Sequence, residues 1–135
     1  MKTVLVYRVE LCFTAISISG MNYAQQGPYT TYDAWMSKDN GYTPCLVSYD
    51  PINQPEPEND GLEHTFAVIY GFRDKNQMFD WFCCDIVSLH YAGFVLSVYE
   101  VPIEDVNYGR KQLNFYPNES RLISVESLLD IAEDY

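Results

Sequence analysis

The stretch "DKNQMFDWFCCDIVSLHYAGFVLSVYEV", residues 74–101, decides the fold. Phe79, Phe82, Ile86 and Leu89 recur at helical spacing, and Met78 and Trp81 widen the stripe they form. Asp74, followed three residues later by Gln77, has the form of a capping box, and Gly93 supplies a left-handed stop. The spacing therefore predicts one helix over residues 74–93. "FVLSVYEV", residues 94–101, is apolar on both faces, the pattern of a central strand covered by that helix. With "HTFAVIYGF", residues 64–72, read as the strand before the helix, either a parallel crossover or an antiparallel arrangement is open.

Working outward, "TVLVYRVE" at residues 3–10 reads as a strand, with Val4, Val6 and Arg8 on one face and Leu5, Tyr7 and Val9 on the other. "LCFTAISIS" at 11–19 is a second strand by its β-branched content. Residues 21–41 turn through Gly27-Pro28, with a short helix expected at Thr31–Met36, and "CLVSY" at 45–49 forms a brief strand. Residues 50–63, "DPINQPEPENDGLE", carry three prolines and five acidic residues, the composition of a solvated, mobile loop. In "KQLNFY", residues 111–116, Leu113 and Phe115 point inward while Gln112, Asn114 and Tyr116 point outward. "SVESLLDIAEDY", residues 124–135, reads as a final helix capped by Ser124, with Val125, Leu128, Leu129 and Ala132 inward. Its acidic end opposes the helix dipole. The whole, residues 1–135, is a single α+β domain: a mixed or mostly antiparallel sheet packed by one main helix and a C-terminal helix.

Composition bounds the function. Hydrophobic residues make up 47% of the chain, with 12 tyrosines, so a core can form. Nineteen acidic residues against eight basic ones give a net charge of -11, which repels phosphate backbones and anionic membranes and favours basic protein surfaces. Arg8 and Glu10 interrupt the apolar opening, which reads as strands rather than a leader, and no run approaches a membrane span. Cys12, Cys45, Cys83 and Cys84 lack metal-site or disulfide spacing and fit reduced thiols in the cytoplasm. No metal site is expected, and phosphate-loop, dinucleotide and serine-hydrolase motifs are missing.

Two groups of residues suit a binding surface. Tyr29, Tyr32 and Trp35 belong to an aromatic set that makes large contacts at low entropic cost. Glu56, Glu58 and Asp60 in the proline-rich loop, with Glu126, Asp130, Glu133 and Asp134 in the last helix, supply the negative charge. An aromatic face on an acidic chain also permits a homodimer.

The series "VYRVE" (6–10), "GPYT" (27–30), "YGF" (70–72), "WF" (81–82), "GFVLSVYEV" (93–101) and "GRKQLNF" (109–115) resembles short proteins of phages and prophages. Those proteins are uncharacterised; with a phage origin, the charge of -11, the acidic loop and last helix and the aromatic set lead us to expect a small protein that binds a basic, nucleic-acid-handling or defence protein of the host and inhibits it, in the manner of anti-CRISPR or anti-restriction proteins. No cofactor is expected on this reading. More remotely, the order of landmarks is similar to the ADP-ribosyltransferase fold. That likeness implies NAD as cofactor, with Arg8 on the phosphates, Thr65 in the middle position and Gln112 where an active enzyme carries glutamate. On residue chemistry alone, Arg8 is expected at a sheet edge or the mouth of a pocket.

Overall fold

The computed structural model describes residues 2–11, 57–65, 67–82, 86–91 and 94–133. Strand β1 spans Thr3–Leu11 and β3 spans Phe94–Pro102, and the two pair antiparallel along their full length, from Thr3 opposite Pro102 to Leu11 opposite Phe94. β6, Arg121–Glu126, pairs antiparallel on the other side of β3. The central position expected for residues 94–101 is therefore observed, and its cause is visible: almost every residue of β3 is buried on one face or the other. A second sheet has β5, Leu113–Phe115, between β2, Ile69–Gly71, and β4, Val106–Tyr108, again antiparallel. Every strand pair among the described residues is antiparallel, and β2 and β3 lie in different sheets, so the crossover option is not used.

The two sheets join where Tyr7 and Phe72 exchange backbone hydrogen bonds, Tyr7 N–H to Phe72 at 2.8 Å and Phe72 N–H to Tyr7 at 2.7 Å. Gly71 permits that approach, because a Cβ there would lie 2.7 Å from the Tyr7 carbonyl oxygen. The inner faces of the joined sheets enclose one core: Val6, Tyr99 and Val101 against Val106, Leu113 and Phe115. The opposite face of the first sheet, with Val9, Leu96 and Val98, packs on the helices.

Three helices are described: α1, Lys75–Phe82; α2, Ile86–Tyr91; and α3, Leu128–Glu133. Met78, Trp81, Phe82, Ile86 and Leu89 are buried in the helix-side core, as their spacing predicts. Residues 83–85 and Gly93 lie outside the described residues. Asp74 caps α1, its carboxylate accepting the Gln77 N–H at 2.8 Å. The return half of the capping box is shifted by one residue: the Gln77 side chain accepts from Arg73 N–H at 2.9 Å.

Three local expectations are corrected. The strand expected over 64–72 is reduced to Ile69–Gly71, since a turn whose Thr65 hydroxyl accepts the Ala67 N–H occupies the residues before it. The final helix begins at Leu128, not near Ser124: Ser127 is the cap, its hydroxyl accepting Asp130 N–H at 3.4 Å. Ser124 and Val125 instead lie in β6, where pairing with β3 overrides the helical reading, and Val125 is exposed. Finally, Gln112 and Asn114 are buried rather than pointing outward; the Asn114 side chain donates to the Glu63 carbonyl and accepts from Asn107, and the Gln112 backbone N–H is held by Asp60. The strand expected beyond Leu11, the helix at Thr31–Met36 and the strand at 45–49 lie outside the described residues.

Candidate functional site

Arg8 stands on the inner face of β1, where period-two alternation also places Val6 and Glu10. It is 1% exposed. Its Nε donates to Glu10 Oε2 at 2.9 Å, and a terminal guanidinium nitrogen donates to the Tyr70 carbonyl at 2.7 Å. Glu10 also accepts from the Tyr99 hydroxyl at 2.8 Å. Burial pushes the Glu10 carboxyl above its ordinary range, opposed by the Arg8 charge and by hydrogen bonds from Ser97, Tyr99 and Arg8. The expected edge or pocket-mouth position of Arg8 is thus corrected. The guanidinium ties β1 to β2 at the junction of the sheets, and a charge so buried requires a partner such as Glu10.

Asp60 forms a second buried anchor. It ends a 3-10 turn, Pro57–Asp60, and its carboxylate accepts the backbone N–H groups of Arg110, Lys111 and Gln112, each at 3.0 Å. These belong to the β4–β5 loop, closed by Gly109 N–H donating to the Gln112 carbonyl at 2.8 Å. Successive N–H groups aimed at one point make a concavity for an anion, and the chain fills it with its own carboxylate. Gly109 is required there: a Cβ would overlap the Asp60 carboxylate and lie 2.8 Å from its carbonyl oxygen. Asp60 is 1% exposed, so its expected place on an acidic binding surface is corrected; it serves the interior.

The anchor defines a cleft. Asp60 holds one end of the segment Gly61–Thr65 to the β4–β5 hairpin, and Asn114 Nδ2 donates to the Glu63 carbonyl at 3.0 Å further along. Between segment and hairpin lies a polar space of about 540 Å³, lined by Glu63 and Thr65 on one side and by Asn107, Tyr108 and Tyr116 on the other. Asn107 is itself set by donating to the Asn114 side chain at 3.0 Å. Tyr108 and Tyr116 are 52% and 38% exposed. His64, beside the cleft, stacks on Tyr70 and shares a 3.0 Å hydrogen bond with its hydroxyl. Burial lowers the His64 pKa, and the Glu58 carboxylate partly offsets this.

The remaining site residues fall in several places. Glu58, Asp130 and Glu133 are exposed, while Glu126 is half-buried and pairs with Lys75 at 3.2 Å. Tyr29, Tyr32, Trp35, Glu56 and Asp134 lie outside the described residues, as do all four cysteines. Thr65 stands at the cleft, Arg8 at the sheet junction, and Gln112 in the loop that holds Asp60. Among the described residues, no helix is long and apolar enough to cross a membrane, and no group of three or more His, Cys, Asp or Glu side chains could hold a metal ion. Sequence reading missed the cleft, because its walls come from segments about fifty residues apart; the one local sign was the glycine of "GRKQ".

A family model described as Bacteriophage T4 Y00F protein matches residues 1–129. The chain belongs to that bacteriophage family. The resemblance to phage proteins is therefore upheld at this level, whereas the likeness to ADP-ribosyltransferases receives no support. Neither the curated proteins nor the solved structures provide a match.

Proposed function

We propose that this phage-family protein binds a basic surface on a host defence or nucleic-acid-handling protein and inhibits it, acting in the host cytoplasm. The observation that carries the reading is the charge of -11 together with its distribution. Among the described residues Glu10 and Asp60 are taken into the interior, while Glu58, Glu63, Asp80, Glu104, Glu119, Asp130 and Glu133 remain exposed. Carboxylates arrayed on a rigid surface compete with phosphates for a groove of lysines and arginines, so anti-CRISPR or anti-restriction action by nucleic-acid mimicry fits this chemistry. Arg8, held between Glu10 and Tyr70, favours this binding role over one on NAD phosphates.

The test is affinity capture of the tagged protein from host lysate with nuclease present, at low and high salt. One stoichiometric basic partner that is lost at high salt supports the reading. No partner at either salt refutes it.

A further inference from the structure

We propose that the cleft between Gly61–Thr65 and the β4–β5 hairpin receives a cationic side chain, arginine or lysine, from the partner protein. This rests on the partner being basic, and it names the point at which that partner is gripped. Glu63 is exposed at the cleft and, among the described residues, has no ion-pair partner. Tyr108 and Tyr116 line the same space with exposed side chains, and Asn107 and Thr65 are neutral polar residues beside them. A carboxylate beside exposed aromatic rings suits a guanidinium or ammonium group, through charge and through the negative faces of the rings. The lowered pKa of His64 favours a neutral ring beside the cleft near pH 7, so His64 itself does not compete as a cation.

The walls are fixed before any ligand arrives. The Asp60 anchor and the Asn114 bond to the Glu63 backbone hold the segment against the hairpin, which lowers the ordering cost of binding. A volume of about 540 Å³ admits a cationic head with its aliphatic stem.

The test uses three blocked tripeptides, acetyl-Gly-Arg-Gly-amide, acetyl-Gly-Lys-Gly-amide and acetyl-Gly-Gln-Gly-amide, titrated into the 15N-labelled full chain and followed by amide NMR shifts. We expect a cationic peptide, but not the glutamine one, to move the signals of Thr65, Asn107, Tyr108 and Tyr116 saturably. Glu63→Gln and Tyr108→Ala should each weaken this by about threefold to fivefold, while Asp130→Lys/Glu133→Lys should leave it unchanged. Dispersed spectra confirm that each variant folds. Shifts spread over the acidic surface and indifferent to Glu63→Gln, or no saturation, would overturn the inference. The two proposals separate cleanly. A captured basic partner with no cleft shifts sinks the cleft alone, and saturable cleft binding with no captured partner sinks the inhibitor reading and leaves only a cation-selective cleft.

Discussion

Arg8 and Glu10, two residues apart on one face of β1, form a wholly buried ion pair with Nε 2.9 Å from Oε2. The pair sits where two small sheets meet, and Arg8 reaches from it to the backbone of β2. Its chemistry is that of a fastener: a charged donor that bonds both strands fixes their relation, at the cost of removing two charges from water.

Removing one member leaves the other charged and buried. Arg8→Met should destabilise the fold by about 3–5 kcal/mol, read as a shift in the urea midpoint. Arg8→Met/Glu10→Leu should lose less than Arg8→Met alone, since no orphan charge remains. A double variant as unstable as the sum of its parts would show that the pair is not coupled.

The Asp60 anchor predicts coupling of another kind. Asp60→Ala removes the acceptor for three backbone N–H groups and should cost about 3 kcal/mol or more. Gly109→Ala should cost about 1–3 kcal/mol by crowding that carboxylate, and less in an Asp60→Ala background. A double-mutant cycle in denaturant reads both, and strict additivity would contradict the contact.

Much of this architecture was legible beforehand, for reasons that name themselves. The apolar β3 and the Phe79–Leu89 stripe are local patterns whose burial follows from period alone, so the α+β class and the central strand could be read. Arg8 could be placed on a face with Val4 and Val6, but not inside the protein, because what covers that face comes from β2 and β3. The last helix starts later than the sequence suggests because Ser124 has the form of a cap, whereas the strand character of "RLISVE" depends on pairing with β3. The acidic loop hid its anchor for a similar reason. Nothing in "PEND" distinguishes the buried Asp60 from the exposed Glu58 until the "GRKQ" loop is brought against it.

His64 sets a pH dependence. Its folded pKa lies below the ordinary 6.5, so as pH falls past 6.5 the unfolded chain takes up the proton first and stability declines. Glu10 acts in the opposite sense: its raised folded pKa means that stability is regained as pH falls from that value toward the ordinary 4.5. Urea midpoints at pH 7.5 and 5.5 should therefore fall further for the natural chain than for His64→Gln. Equal losses would remove His64 from the account.

Charge reversal on α3 separates binding from folding. Asp130 and Glu133 are exposed; Asp130 lies in the first turn of α3, where its charge suits the dipole, and Glu133 in the last, where it opposes it, so the two effects of about 0.3–1 kcal/mol offset and Asp130→Lys/Glu133→Lys should leave stability nearly unchanged. Partner affinity should drop. Unchanged affinity would take this helix out of the interface.

The most direct test of the central claim is the affinity of the purified complex, with the partner identified by capture, as a function of salt. An acidic surface held against a basic one predicts an affinity that falls by roughly tenfold or more between 50 mM and 300 mM salt, mainly through slower association. An affinity indifferent to salt would contradict it, and would place recognition in apolar contacts instead of the protein's negative charge.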